Sequence, residues 1–255
     1  MLQKLKEYQF LLEELIKRDF KKKYKRTVLG VFWSVLSPLL TLFVMKLVFT
    51  GFFGNNIPFY TTYLFAGNLI FSYYRESTTQ GMSALMNNAD IFSKVNVPKY
   101  MFVLSSNLSS MINFLITLVV FFVFAAIDGV TFSWRFLVLI YPVACLLLFN
   151  IGVGLILSAM FVFFRDTQYL YSVFTLLLMY VSAIFYQVTS FPLHIQRLFL
   201  MNPIYVYIKY FRVIVIDGNI PSLAFNLLPL FWAAAALLIG GTIYKKNNQR
   251  FMYYV

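Results

Sequence analysis

The sequence predicts an all-α, polytopic membrane protein with six transmembrane helices, an N-terminal interfacial helix, and outer re-entrant helices between spans five and six. Three observations favour this fold class: 61% of the 255 residues are hydrophobic, 12% are charged, and the mean hydropathy is +0.77. A soluble domain averages about 25% charged residues. A water-soluble fold of this length could not cover so much apolar surface, so soluble enzymes, nucleic-acid-binding domains and disordered chains are disfavoured.

The positive charge is concentrated at the N-terminus. The formal net charge is +12, and nine of the 21 Lys and Arg residues lie within residues 1–26. Apolar residues recur there at helical spacing: Leu5, Tyr8, Leu12, Ile16, Phe20 and Tyr24. This pattern predicts a cytoplasmic amphipathic helix that lies on the anionic inner leaflet. A plain topogenic anchor would use the same basic residues.

Six apolar segments make up the membrane domain, which we place at 27–250. They lie at roughly 28–50, 59–81, 101–127, 134–164, 168–189 and 223–244, at about 20 residues for each crossing. A basic stretch at 245–250 and a short tail at 251–255 follow. With six spans both termini are cytoplasmic, and both basic clusters then obey the positive-inside rule.

The stretch 190–222 does not read as a span. Its apolar run, Ile204–Ile216, is too short to cross a bilayer, and a seventh crossing would put the basic tail outside. We therefore expect two short helices that dip in from the outer face. Non-helical backbone at membrane depth must be buried in protein or line a cavity, which places this segment beside a pathway.

The connector 82–99 is the longest polar segment between spans and is cytoplasmic by parity. Leu85, Ile91 and Phe92 give it an apolar edge, as a short helix docked into a partner's groove requires. Asp90 and Lys94 are four residues apart and would share a helical face at the rim of such a groove. The alternative is a solvated connector.

The sequence offers little for catalysis. His194 is the only histidine, no metal-ligating cluster is visible, and no Gly-Lys-Ser/Thr phosphate loop occurs. We therefore expect no catalytic residue, no metal and no nucleotide site in this chain. Arg75 and Glu76 are the charged pair inside a span, and they indicate either a pathway or inter-subunit contact, or a structural polar contact near the inner interface.

Tyrosines recur on two predicted helical faces. Tyr60, Tyr63, Gly67 and Tyr74 share a face of span two, and Tyr169, Tyr180 and Gln187 share a face of span five. Flat rings with a polar group suit sugars, so these faces predict a glycan conduit formed by Tyr63, Tyr74, Tyr169, Tyr180 and Gln187. Tyr63 and Tyr180 are the best candidates, because the other tyrosines also fit an interfacial aromatic belt.

Several short motifs resemble the permease subunits of ATP-binding-cassette exporters for cell-surface polysaccharides, which include O-antigen, teichoic acid and capsule-type exporters. The motifs are Arg18-Asp19-Phe20-Lys21, Tyr24, Thr27, Leu29-Gly30, Trp33, Pro38-Leu39, Asn88-Ala89-Asp90-Ile91-Phe92-Ser93-Lys94 with Pro98-Lys99, Phe164-Arg165-Asp166, and Asn202-Pro203 with Arg212. The resemblance covers nearly the whole chain. Val97, Lys99 and the Lys-rich 21–26 region depart from the usual pattern.

The resemblance implies a homodimer with a sugar-polymer conduit at its interface, in the inner or plasma membrane of a bacterium. It implies two separate ATPase subunits, which bind ATP and Mg, and a substrate glycan linked to a polyprenyl diphosphate. The ATPase would contact a coupling set and the turn Arg165-Asp166; the coupling set is Leu85, Asn88, Asp90, Ile91, Phe92 and Lys94. The lipid diphosphate would be attracted by Arg18, Lys21, Lys22, Lys25 and Arg26.

Two other classes stay open from the residues alone. An ion-coupled secondary transporter would need midplane ionisable residues and inverted repeats, and only Arg75-Glu76 meets the first condition. A membrane enzyme acting on polyprenyl-linked sugar would need acids or a histidine at one membrane face.

Overall fold

A computed structural model of the protein consists of helices joined by turns and loops in the residues it describes, which are 2–25, 27–53, 57–92, 94, 97–248 and 250–254. It describes side chains for all of these except 2–7, 52, 53 and 252. The α-helices are α1 (Leu2–Tyr24), α2 (Trp33–Phe53), α3 (Tyr60–Ala84), α4 (Ala89–Phe92), α5 (Tyr100–Ile127), α6 (Ile140–Phe163), α7 (Thr167–Val181), α8 (Leu193–Phe199), α9 (Pro203–Val215), α10 (Leu223–Asn247) and α11 (Phe251–Tyr254). Short 3₁₀ turns lie at Gly30–Phe32, Met86–Asn88, Trp134–Leu139 and Val188–Ser190.

Four segments of the described chain are long and apolar enough to cross a membrane. They are Gly30–Gly51, Tyr100–Ile127, Trp134–Phe163 and Leu223–Asn247. These segments confirm the helices predicted at 28–50, 101–127, 134–164 and 223–244. α8 and α9 are bent by 104° at the break between them and would make a fifth segment if they were one broken span.

The helix at the predicted second span, α3, is central and polar. It packs against α2, α5, α6, α7 and α9. It is 25 residues long, but Asn68, Ser77, Thr78 and other polar side chains make it less apolar than the four segments named above. These three side chains are at most 5% exposed, so neighbouring helices shield them.

The helix at the predicted fifth span ends earlier than the predicted bound of residue 189. α7 stops at Val181, and its 15 residues reach about 22 Å, less than the roughly 30 Å of a bilayer core. The Ser182 hydroxyl donates to the Leu178 carbonyl at 2.6 Å, and Ala183 takes a left-handed φ of 52°. A left-handed residue just past the end is a common way to terminate a helix. The sequence stays apolar through this turn, so hydropathy does not register it.

Side-chain contacts define two ends of the helical bundle. The basic end contains α1, Met86–Phe92, the turn 164–167 and α11. The distal end contains the turns at 128–133, 182–192 and 216–222. There, Thr62 donates from both its backbone N and its hydroxyl to Asp128, at 2.9 and 2.8 Å. Asn202 donates to the Ser182 hydroxyl at 3.0 Å and Arg135 donates to the Gly218 carbonyl, so both flanks of α9 lie at the distal end.

Candidate functional site

The apolar edge predicted for the 82–99 connector is buried within the chain itself. Leu85 is 0% exposed and Phe92 is 6% exposed. They belong to one cluster with Leu15 of α1, Phe102 of α5 and Phe251 of α11. The prediction that these two side chains form an open edge for a partner is therefore wrong, because the core at the basic end already buries them.

The surface that this segment presents is polar. Asn87, Asp90 and Lys94 are exposed, whereas Ile91 is half-buried. α4 ends at Phe92, and Lys94 lies in the following turn, where its backbone N donates to the Ile91 carbonyl at 3.1 Å. Asp90 and Lys94 therefore do not share a helical face, contrary to the prediction, because the helix is only four residues long.

Arg18 joins α1 to the connector. Its guanidinium donates to the Asn88 side-chain oxygen at 2.6 Å and to Asp19 at 2.7 Å. Asp19 also accepts from the Ser105 hydroxyl of α5 at 3.2 Å, and Asn88 donates to the Ala84 carbonyl at 2.7 Å. Arg18 was predicted to contact a lipid diphosphate, and the structure places its donors at a junction between three helical segments.

Lys99 joins the connector to the C-terminal tail. It is 7% exposed, its ammonium donates to the Asn248 carbonyl at the end of α10, and it lies 5.8 and 6.0 Å from the ring centres of Phe92 and Phe251. A cation at a helix C-terminus is favourable because the last carbonyls carry partial negative charge. Burial lowers the pKa of the Lys99 amine. The tail is thereby fixed to the segment that precedes α5.

The second predicted contact for an ATPase is also at the basic end. Arg165 and Asp166 are exposed in the turn between α6 and α7. The Arg165 guanidinium lies 5.7 Å from the centre of the Phe161 ring. Phe163, next to this turn, packs on Phe251 with ring centres 5.7 Å apart. The turn and the 85–94 segment therefore lie on the same end of the bundle, linked through the aromatic tail.

The basic residues of α1 form an exposed patch. Lys21, Lys22 and Lys25 are exposed, and Arg26 lies outside the described residues. A pocket of about 240 Å³ beside them is lined by Arg18, Lys22, Lys23, Asn87 and other polar residues. Asp19, which binds Arg18, also borders this pocket, so three cations face one carboxylate. This excess of positive charge suits a phosphate group.

Glu76 and Arg75, the predicted intramembrane pair, have different surroundings. Glu76 accepts from Lys23 at 2.8 Å, from Asn113 at 2.8 Å and from Gln80 at 3.2 Å, so it has a structural polar contact with α1 and α5. Arg75 is exposed, and its side chain has no hydrogen bond or ion pair to the part of the chain that the structure describes. Of the two interpretations left open, the structural contact applies to Glu76, and Arg75 lies on an open polar face of α3.

The tyrosine face of α3 packs against the distal turn. Tyr60 and Tyr63 donate to the carbonyls of Phe185 and Tyr186 at 3.1 and 2.7 Å. Tyr74 is 3% exposed and stacks on Phe149, with ring centres 6.0 Å apart. Tyr74 therefore lines no open surface of the chain, contrary to the prediction, because α6 covers it.

The other conduit candidates lie in two places. Tyr169 and Tyr180 are 66% and 55% exposed on α7, on a common face as predicted. Gln187 lies beyond the end of α7, so its predicted place on that helical face is wrong. It borders a distal pocket of about 180 Å³ with Tyr63, Lys209 and other residues.

Arg212 of α9 binds the distal turn, a role that the predicted helical faces do not assign to it. It is 7% exposed and donates to the carbonyls of Ala183 and Ile184 at 2.8 Å each, and to that of Tyr63 at 3.1 Å. Its guanidinium carbon lies 3.4 Å from the centre of the Tyr63 ring. An arginine inside an apolar run was the available signal, since an intramembrane charge needs specific partners.

Taken together, the apolar spans, the polar central helix and the interlocked basic end define an integral membrane transport subunit. The chain belongs to the ABC-2 type transporter family, whose sequence profile matches residues 11–216.

The chain is similar to curated proteins over nearly its full length. It is 27% identical to the "O-antigen export system permease protein RfbA" of Myxococcus xanthus, over 93% of this chain and 94% of that protein. It is 28% identical to the protein of the same name from Klebsiella pneumoniae, over 94% and 93% of the two chains. It is 21% identical to the "Polysialic acid transport protein KpsM" of Escherichia coli, over 93% of each chain.

Proposed function

We propose that this chain is the transmembrane subunit of an ATP-driven exporter that moves a lipid-linked cell-surface polysaccharide out of the cytoplasm. The observation that carries the proposal is the end-to-end similarity to three O-antigen export permeases, which spans at least 93% of each chain. The polymer is an O-antigen, a teichoic acid or a related glycan on a polyprenyl diphosphate.

The proposed topology has six spans, formed by α2, α3, α5, α6, α7 and α10. α7 alone is shorter than the bilayer core, so the largely buried turn 182–188 would complete the fifth crossing, since non-helical backbone is tolerated at membrane depth where protein buries it. α3 is polar, but it is buried by its neighbours, so its composition does not forbid a crossing. α8 and α9 would be re-entrant, since both flanks of α9 contact the distal end. The basic end is assigned to the cytoplasm, because Lys21, Lys22, Lys25, Lys245 and Lys246 cluster there.

Impermeant maleimide labelling of single cysteines tests this topology, in a background where Cys145 is replaced by Ser. Labelling from outside should reach cysteines at Asp128 and Gly218 and should not reach one at Lys94 in intact cells. Outside labelling of the Lys94 position would contradict the assignment of the basic end.

We propose that the functional unit is a homodimer with its conduit between the subunits. Ser72, Arg75 and Thr79 form an exposed stripe along α3. A lipid-facing arginine inside a span is costly, so this stripe supports a water-filled or inter-subunit surface. α7 packs beside α3, because Tyr171 of α7 contacts Thr78 of α3 at 2.5 Å. The exposed face of α7 with Tyr169 and Tyr180 lies on the opposite side of that helix from this contact, at about 180°.

We assign ATPase contact to the exposed groups of the basic end, namely Asn87, Asp90, Lys94, Arg165 and Asp166. Two copies of a separate ATPase subunit, which binds ATP and Mg, would dock there. Leu85, Phe92 and Asn88 then act indirectly, by linking the contact surface to α1, α5 and the tail.

Reconstitution tests the function directly. The permease, co-purified with a polysaccharide-exporter ATPase and placed in proteoliposomes, should move a polyprenyl-diphosphate-linked glycan only when ATP is supplied. ATP-independent transport that an ion gradient drives would support a secondary transporter instead. Chemical change of the glycan without transport would support a membrane enzyme.

A further inference from the structure

A pocket with polar lining residues lies beside the exposed stripe of α3, and Ser72 of that stripe borders it. It is bordered by the end of α1 and by α2, α3 and α5, and its volume is about 380 Å³. This is within the range of small-ligand sites, about 300–1,000 Å³. Along α2 its lining extends from Ser34 to Thr41, a depth of roughly 10 Å at 1.5 Å per residue.

The lining includes several buried polar side chains. Asn68, Asn113, Ser110 and Thr117 border the pocket and are between 1% and 8% exposed. Buried amides and hydroxyls cost free energy unless they are hydrogen-bonded. These side chains bond groups of the chain, among them Ser110 to the Ser106 carbonyl at 3.1 Å and Thr117 to the Asn113 carbonyl at 2.9 Å. Hydroxyls and amides have further hydrogen-bonding capacity, which a hydroxyl-rich ligand could use.

Hydrogen bonds fix the carboxylate of Glu76 at the edge of this pocket. Lys23, Asn113 and Gln80 all donate to one carboxylate oxygen, Oε1. Asn113 is itself fixed, because its side-chain oxygen accepts from the Tyr24 hydroxyl at 2.7 Å. Within the described part of the chain no donor reaches Oε2, so this oxygen can accept from a ligand hydroxyl.

Aromatic rings complete the wall. Trp33, Tyr73 and Phe114 border the pocket, and the rings of Tyr73 and Phe114 have centres 4.7 Å apart. Aromatic faces next to amides, hydroxyls and a carboxylate match the two surfaces of a pyranose, which has apolar C–H faces and polar edges. A free anion fits less well, since the pocket has one carboxylate for its one lysine.

Lys23 also borders the cation-rich pocket of about 240 Å³ with Arg18 and Lys22. The two pockets are thus neighbours, one suited to phosphate and one suited to a sugar. From this arrangement we propose that the Glu76–Asn68–Asn113 pocket binds one sugar ring of the lipid-linked substrate, while its diphosphate lies at the Lys22–Lys23 side. This inference rests on the proposed function and adds a sugar-reading site within each subunit.

Binding to the full-length permease in nanodiscs tests the site. The probes are polyprenyl diphosphate without sugar, with N-acetylglucosamine, and with galactose. The wild type should bind at least one sugar-bearing probe about tenfold or more tighter than the bare carrier, as hydrogen bonds to a charged group produce. Equal affinities for all three probes would overturn the proposal.

Variants separate sugar binding from structure. Glu76→Gln and Asn68→Ala should abolish the sugar preference and keep the affinity for the bare carrier. Lys23→Met removes the same ion pair but should weaken all probes together and keep the preference. If Glu76→Gln and Lys23→Met behave alike, Glu76 is only a structural anchor and the proposal fails.

Thr242→Ala is the matched control, because that exposed α10 hydroxyl donates to its own helix at the Ile239 carbonyl. It should change no affinity. A permease that exports glycan with its ATPase, yet binds every probe equally, would refute the sugar site and leave the proposed function standing. Loss of export together with loss of all binding would count against both.

Discussion

The two ends of the bundle hold their short helices in different ways. At the distal end, one buried guanidinium, Arg212, bonds three backbone carbonyls of the α7 turn and α3. At the basic end, several separate contacts share the task, among them Arg18–Asn88 and Lys99–Asn248. A concentrated contact fails as a whole when its one residue is changed, whereas a distributed one loses a fraction. Replacing one hydrogen-bonding residue should therefore destabilise the distal end more than the basic end.

The largest expected effect is at Arg212. Arg212→Met should lower the free energy of unfolding in detergent by about 3 kcal/mol or more, since the buried carbonyls of Ala183 and Ile184 lose their donor and each unsatisfied group costs about 1–3 kcal/mol. Lys209→Met on the same helix is the control, because Lys209 makes ring contacts at 5.5 and 6.0 Å and attracts Asp217, but it donates no hydrogen bond to the residues that the structure describes. Equal stability of the two variants would show that the distal end does not depend on Arg212.

Phe251→Ala tests the basic end at its most buried point. The ring is 0% exposed, and truncation of a buried Phe costs about 3–5 kcal/mol. We expect a loss near 3 kcal/mol, together with faster proteolysis of the 85–94 segment, because Lys99 and Phe92 lose a shared neighbour. Tyr253→Ala, whose side chain is 85% exposed, is the control and should be neutral. An unchanged cleavage rate in Phe251→Ala would separate the tail from the coupling segment.

Gly67→Ala tests close packing at the distal end without removing a hydrogen-bonding group. A Cβ there would lie 2.7 Å from the Arg212 guanidinium and 3.3 Å from the Ile184 backbone. Such overpacking costs about 1–3 kcal/mol. Gly241→Ala, with nothing within 4 Å of the new Cβ, should be neutral or slightly stabilising. Thermal unfolding of both variants decides whether close approach or helix propensity dominates.

Asn88→Ala breaks one of the distributed contacts. The Arg18 guanidinium loses a partner at 2.6 Å but keeps Asp19, so we expect a loss of only about 1 kcal/mol. The permease should also stimulate the ATPase less, because Arg18 of α1 no longer bonds to the connector. A stability loss as large as that of Arg212→Met would contradict the distributed character of the basic end.

The smallest effect on stability is expected at the exposed surface. Asp90→Lys should change the free energy of unfolding by less than about 0.5 kcal/mol, as surface substitutions do. It should weaken co-purification of the ATPase, because it reverses a charge on the proposed contact. Phe92→Ala should instead destabilise the permease itself, since that ring is buried in the chain. Normal ATPase binding by Asp90→Lys would move the contact to the Arg165–Asp166 turn.

The sequence by itself determined the elements that depend on local composition. Long apolar runs predicted the helices α2, α5, α6 and α10. Away from water, the backbone N–H and C=O groups must form hydrogen bonds within the chain, and a helix forms them. The clustering of Lys and Arg in the sequence predicts the basic end without any knowledge of contacts.

Only the tertiary structure decided which faces are covered. Leu85, Phe92 and Tyr74 look like exposed candidates in sequence, and neighbouring helices bury all three. The sequence pattern also did not predict the end of α7. Arg212 bonds the turn that follows α7, and it lies 29 residues away from Ala183 in the sequence. Periodicity fixes the direction of a side chain around its own helix, but burial and pairing depend on distant segments, which the local pattern does not contain.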